Sequence, residues 1–300
     1  MAEANWHILA AASLLVRRHR WLPVAATLTS GLAVTIAVAA HLGRSVALAA
    51  TAVLVVTSYV WGYSTRAFKQ TRWPSLDHLH RRQYAEVWDA LTPSAKQATE
   101  AASGVQGEDE LRRSAMKSLH DLLELVSIGA QDEVLEIGCG VGRVGLVLAP
   151  LCRLWTGADI SANMLAYASR RLRDVNNVRL VKLHRVGLED FTDSSFHVVY
   201  TTDMFEHLDE MDRWRYVEEA FRVLRPGGRI YIDNIDLESD AGWASFVNDG
   251  KKYQGFARTP YVLRPSTAAE LMAYVKRAGF TQVQSHRRPP LIVVTAVKPA

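Results

Sequence analysis

Val134-Leu135-Glu136-Ile137-Gly138-Cys139-Gly140-Val141-Gly142 is a short apolar run that ends in glycines at alternate positions. Its length and composition predict a buried strand. Residues without a Cβ let the backbone bend tightly and come close to a ligand. The stretch therefore predicts a strand feeding a cofactor loop, and it makes the second half of the chain a nucleotide-type cofactor domain. A G-x-G-x-G pattern alone also suits an ordinary turn in an α/β fold, so the neighbouring sequence has to decide.

Leu151 to Ile160 reads as a second strand closing on Asp159, seventeen positions after Gly142. A carboxylate there is placed to chelate a ribose diol. Ser161 then opens a helix as its N-cap. To this point a dinucleotide and S-adenosylmethionine (SAM) are both open.

Later segments separate the two. Phe196 to Leu208 reads as a fourth strand with Asp203, Glu206 and His207 at its carboxyl end, and Val223 to Ile232 as a helix end, a Pro226-Gly227-Gly228 turn and a fifth strand. Together with the glycine loop and Asp159, this pattern resembles the class I SAM-dependent methyltransferases, in particular the group with quinone, sterol, phospholipid and small-metabolite enzymes. The resemblance covers roughly residues 114–298.

The resemblance implies an α/β fold with a Rossmann-like, seven-stranded, mostly parallel sheet whose last strand is antiparallel, and SAM as cofactor. It places Glu136, Gly138, Cys139, Gly140 and Gly142 around the methionine half of SAM, Asp159 on the ribose hydroxyls, and Ile160 and Met164 near the adenine. Relatives carry an acid after the third strand to contact the adenine amine. Arg185 stands there in this chain, so Glu189 or Asp190, or else backbone amides, are expected to substitute. His197 replaces an aspartate common at the start of the fourth strand. Asp203 is expected beside the cofactor. Methyl transfer to a hydroxyl needs a base, for which His207, titrating near neutrality, is the first candidate, Asp203 the second and Asp236 a weaker third.

A chain of 300 residues accommodates one domain of about 200 residues plus an appendage. Charge is divided unevenly: residues 1–82 hold nine Lys and Arg against two acids, and the remainder holds 26 against 29. The basic pI thus belongs to the amino-terminal part, which argues against nucleic acid as a partner of the catalytic domain. Residues 21–41 and 45–63 contain no Asp, Glu, Lys or Arg. Each is long enough as a helix to cross a bilayer, and Leu42-Gly43-Arg44 between them predicts a two-helix transmembrane hairpin over 21–63. Arg17, Arg18 and Arg20 before it and Arg66, Lys69 and Arg72 after it outnumber Arg44 in the loop, so both termini and the catalytic domain are expected in the cytoplasm. Other readings stay open: a cleaved signal ending at Ala37-Val38-Ala39, core helices of a soluble domain, or a hairpin dipping into one leaflet.

The expected organisation is a basic segment (1–20), the hairpin (21–63), amphipathic linker and lid helices (64–113) and the methyltransferase domain (114–300). Ser75 to Leu91 reads as an amphipathic helix in which Tyr84 is a lid candidate, with core packing as the simpler role. Ala95 to Asp109 reads as a loop or frayed helix. Gly242 to Arg264 interleaves aromatic and basic residues, as suits a lid over an amphipathic substrate, and suits a solvated loop nearly as well. Cys139 and Cys152 are the only cysteines, with no metal-ligand spacing. The expected function is methyl transfer from SAM to a lipid or other membrane-associated acceptor. The alternatives are a soluble acceptor or a non-catalytic SAM-binding scaffold.

Overall fold

The computed structural model describes residues 76–104, 107–253 and 260–300. The basic segment, the expected hairpin and the start of the linker, 1–75, lie outside the described residues, as do Phe256 and Arg258 of the insertion. Among the described residues no helix is long and apolar enough to cross a membrane.

Residues 77–300 form one compact unit. The chain opens with helices α1 (Leu76–Leu91), α2 (Ala95–Ser103) and α3 (Glu108–Val126). It continues through β1 (Glu133–Ile137), α4 (Arg143–Leu148), β2 (Leu154–Asp159), α5 (Ala162–Arg171), β3 (Val178–Lys182) and β4 (Phe196–Thr201). A 3-10 turn at Phe205–His207 leads to α6 (Glu210–Val223), β5 (Leu224–Ile235), α7 (Asp240–Lys252), α8 (Ala268–Ala278), β6 (Thr281–Arg288) and β7 (Leu291–Val297).

The seven strands lie in the order β3-β2-β1-β4-β5-β7-β6. Strands β1 to β5 pair in parallel, and β7 runs antiparallel to both β5 and β6. This is the expected mostly parallel sheet with a reversed last strand. Both faces are covered, so the strands read as continuous apolar runs, and alternate residues serve opposite layers. Val134, Val198, Tyr200 and Tyr231 join α3 and α4 in one core. Leu135, Ile137, Val199, Ile230 and Ile232 join α6 and α8 in the other.

Three local expectations change. Within the stretch expected as a loop or frayed helix, Ala95–Ser103 forms a capped helix, because Ser94 accepts from Gln97 N and Gly104 closes the helix in the left-handed region. The Pro226-Gly227-Gly228 turn does not precede β5 but interrupts it. Phe196 pairs with Leu224 and Val198 with Arg229, so the turn is a bulge looped out of the ladder. The capped helix that the sequence predicts over Ser266 to Ala278 begins later, with Thr267 as its cap, whereas Ser266 forms a bridge to Asp236.

Candidate active site

Chain direction across the sheet switches between β1 and β4: β1 leads outward to β2 and β3, and β4 leads the other way to β5. Ligands of open α/β sheets bind in the crevice that opens at the carboxyl ends of such strands. A cavity lies there, lined by Glu136, Gly138, Cys139, Gly140, Asp159, Ile160 and Met164 among others.

The glycine loop is built by backbone geometry. Gly138, Gly140 and Gly142 all have positive φ, at 71°, 52° and 73°. A Cβ on Gly138 would also overlap Met204 Cγ. The amides of Gly138 and Cys139 donate to Ala158 O at 2.8 and 3.1 Å, which ties the loop to the end of β2. Asp159, buried at that end, accepts from Gly140 N and from Ser161 N, both at 2.8 Å. Burial pushes its carboxyl up to about 6, against the pull of those amides.

Glu136 is 1% exposed. It sits opposite Tyr200 in the β1–β4 register and accepts from Tyr200 Oη at 2.7 Å and Thr202 Oγ1 at 3.5 Å. Trp155 Nε1 in turn donates to Tyr200 Oη at 3.0 Å. Burial raises the Glu136 carboxyl to about 7, although Tyr200, Arg143 and Thr202 favour its charged form. A carboxylate held this deep, lining a cavity, is suited to a ligand that brings positive charge.

The carboxyl end of β4 carries a second acidic group. Asp203 adopts φ 54°, rare for a residue with a side chain. It is held there by its amide, which donates to Asp233 Oδ1 at 3.0 Å, and by its carboxylate, which pairs with Arg143 Nη2 at 2.5 Å. Arg143 is itself buried and also donates to Ser118 and Thr202. Glu206 lies beside this group with Oε2 lacking a hydrogen-bond partner, and burial together with the Asp203 charge raises its carboxyl to about 8. Asp233 is raised well above its ordinary value by the same causes.

His207 lines the cavity with Nδ1 unpartnered. Burial lowers its pKa to about 4, with the Pro260 carbonyl opposing and Arg264 assisting. The expectation of titration near neutrality is thereby corrected, because burial leaves the imidazolium poorly solvated. Asp203 lines the same cavity, with its carboxylate paired to Arg143.

Several residues expected at the site lie elsewhere. Glu189 pairs with Arg185 at 3.2 Å and Arg215 at 2.9 Å, outside the cavity. Asp190 is exposed and also outside. The apolar lining of the cavity includes Ile160, Leu183, Val186 and Leu208. Asp236 is buried away from the cavity, accepting from Glu238 N. His197 lies at the opposite end of β4, where Nδ1 accepts from Glu133 N at 2.9 Å.

Sequence reading misses Arg143 and Asp89. Arg143 directly follows the last loop glycine, and that adjacency is the signal that locates it. Tyr84 and Trp88 of α1 and Ala101 and Ala102 of α2 roof the cavity. The Trp88 ring meets His207 edge-on at 4.8 Å, and Tyr84 Oη accepts from Asp209 N at 3.4 Å. Helices α1 and α2 thus line the cavity, where the sequence places linker and lid helices. Cys139 and Cys152 are both free and buried, and among the described residues no group of His, Cys, Asp and Glu has the arrangement of a metal site.

The methyltransferase-domain match and the methyltransferases among the relatives support a SAM-dependent methyltransferase domain with SAM as its cofactor. Residues 135–232 match the family described as methyltransferase domain. The chain is 30% identical over 173 residues to 27-O-demethylrifamycin SV methyltransferase of Amycolatopsis mediterranei, covering 52% of this chain and 62% of that one. It is 28% identical over 185 residues to the ubiquinone biosynthesis O-methyltransferase of Pseudomonas fluorescens, covering 57% of this chain and 76% of the relative. A third relative, the methyltransferase GfsG of Streptomyces halstedii, is matched over 46% of its length, so the likeness to it and to the rifamycin enzyme reaches less than two thirds of either chain. Among solved structures, the YcgJ protein of Bacillus subtilis aligns with TM-score 0.50 and 20% identity over 62% of this chain and 99% of its own, a likeness of fold alone. The residues suit the cofactor: buried carboxylates at Glu136 and Asp159 for its amine and ribose, and an apolar slot for the adenine.

Proposed function

We propose that the chain transfers the methyl group of SAM to a lipid or other acceptor resident in a membrane, with the catalytic domain on the cytoplasmic side. The observation that carries this reading is the identity of the cavity's roof. Helix α1 supplies Tyr84 and Trp88, and the chain before it runs through residues 64–75 directly into the two apolar, membrane-length stretches of 21–63. The segment that covers the reaction site is thus continuous in sequence with the segment that tethers the domain. An O-methyltransferase of ubiquinone biosynthesis among the relatives is in keeping with a membrane-held acceptor.

The cofactor supplies an activated methyl group, and the residues around it position and desolvate. In this reading Asp159 holds the ribose hydroxyls with the lone pairs left by Gly140 N and Ser161 N. Glu136 faces the methionine amine, and the glycine loop lets the backbone approach. Trp88, Tyr84 and Met204 exclude water from the reaction face. His207, neutral across the physiological range, presents an unpartnered nitrogen to an acceptor proton.

The scaffold reading draws its support from Arg185 and His197. Both side chains lie outside the cavity, so they leave the cofactor contacts untouched. A soluble acceptor with a merely tethered enzyme is the alternative to be tested. Comparative mass spectrometry of membrane lipids, with and without the gene, is expected to reveal a species displaced by one methylene, about 14 Da. A matching change confined to the soluble metabolites would replace the lipid acceptor with a soluble one. Recovery of the full chain in the soluble fraction after a detergent-free wash would remove the anchor.

A further inference from the structure

The most continuous polar connection around the cavity involves a residue with no part in holding the sheet together. Asp89, near the carboxyl end of α1, accepts from Ser161 Oγ at 2.6 Å and from Asn163 N at 3.1 Å through one carboxylate oxygen. Its backbone carbonyl accepts from Asn163 Nδ2 at 2.9 Å. Ser161 uses its hydroxyl twice, donating to Asp89 and accepting from Met164 N as the cap of α5. Ser161 N donates to Asp159, and the other Asp159 oxygen accepts from Gly140 N. An unbroken line of hydrogen bonds, Asp89–Ser161–Asp159–Gly140, therefore joins the roof helix to the ribose acid and the glycine loop.

The remaining holds on the roof are of a different kind. Trp88 meets His207 through ring contact, and Tyr84 Oη accepts one long bond from Asp209 N. Aromatic contacts allow a helix to rock, whereas a carboxylate gripping a side chain and an amide of a facing loop fixes its position. The floor of the cavity is the edge of the core sheet and does not move without unfolding. A cofactor occupying the cavity leaves by displacing the roof, and displacing the roof breaks the bonds to Asp89.

We propose that Asp89 is a positioning residue that clips α1 onto the cofactor loop and so sets the rate at which SAM and its demethylated product exchange. This rests on the assignment of the cavity to SAM, and it adds a control on turnover that the chemistry does not require.

The test compares Asp89→Ala and Asp89→Asn in the full chain. Amide hydrogen exchange of α1, measured without cofactor, is expected to quicken about ten-fold in the alanine variant. SAM dissociation measured by stopped flow is expected to quicken by a similar factor, equal to about 1.4 kcal/mol. Asparagine, whose amide oxygen still accepts from Ser161 and Asn163, is expected to fall between the alanine variant and the native chain. A folded alanine variant with native exchange in α1 and a native dissociation rate overturns the proposal. Should that variant not fold, Asn163→Ala removes only the bond to the Asp89 carbonyl and must show a smaller quickening in the same direction; no change there also overturns it. The exchange measured without cofactor keeps the two assignments apart: a chain that never binds SAM refutes the cofactor site, while α1 exchange still decides the clip.

Discussion

Replacing Glu136 by glutamine is expected to move stability and cofactor affinity in opposite directions. The native carboxyl is 1% exposed and titrates at about 7 in the cofactor-free protein, against 4.5 for an ordinary glutamate. Between those two values the folded state binds a proton that the unfolded state does not, so stability falls as pH rises through that window. Every ten-fold change in proton affinity between the two states corresponds to about 1.4 kcal/mol, so by pH 8 the buried charge costs about 3 kcal/mol. Glutamine keeps the shape, and its amide oxygen still accepts from Tyr200 Oη, but it carries no charge to bury. The variant is therefore expected to unfold several degrees higher than the native protein at pH 8, at about 2–4 °C per kcal/mol for a domain of this size, and at nearly the same temperature at pH 5. Its affinity for SAM is expected to drop by about ten-fold or more, because a charge-assisted hydrogen bond to the cofactor's amine becomes a neutral one. Thermal unfolding across pH, together with calorimetric titration of SAM, measures both. A variant that is less stable than native at pH 8, or that binds SAM with native affinity, refutes the reasoning.

Three further expectations follow from the same geometry. Gly138→Ala places a Cβ at φ 71° and against Met204 Cγ, and is expected to abolish SAM binding while destabilising the fold, read by titration and thermal unfolding. Arg143→Leu leaves the Asp203 carboxylate without its partner beside Asp233 and Glu206, and is expected to cost about 3–5 kcal/mol in denaturant unfolding at pH 8. That loss is expected to shrink towards pH 5, where Glu206 and Asp233, both shifted upward, carry protons; a loss independent of pH counts against the acidic cluster. The pH–rate profile is expected to show no His207 inflection near 6.5, because that ring loses its proton at about 4, and a His207-dependent inflection near neutrality refutes the buried-imidazole picture.

The first strand, the glycine loop and the position of Asp159 are legible because each is written in short, contiguous sequence: an apolar run, glycines at fixed spacing, an acid at the end of the next strand. Tertiary partners are not. Glu189 resembles an adenine ligand by its place after β3, but Arg185 and Arg215 hold it outside the cavity. His207 looks poised for neutral titration because sequence does not show desolvation. Arg143 escapes a sequence reading because its partner, Asp203, is sixty residues away, and Asp89 because its partners, Ser161 and Asn163, are 72 and 74 residues away. Helix α2 reads as a frayed loop because its Ala and Ser content gives no strong apolar stripe, while its order comes from caps at Ser94 and Gly104.

The central claim is that this domain moves a methyl group from SAM to an acceptor held in the membrane. The most direct measurement incubates the purified full chain in detergent with methyl-labelled SAM and an extract of the native membrane, and follows label into the organic phase. Label is expected in a lipid component with the native chain and is expected to be lost in Asp159→Ala, where the ribose contact is gone. Label appearing equally with Asp159→Ala, or label confined to water-soluble compounds when cytosolic extract is supplied alongside the membranes, contradicts the account.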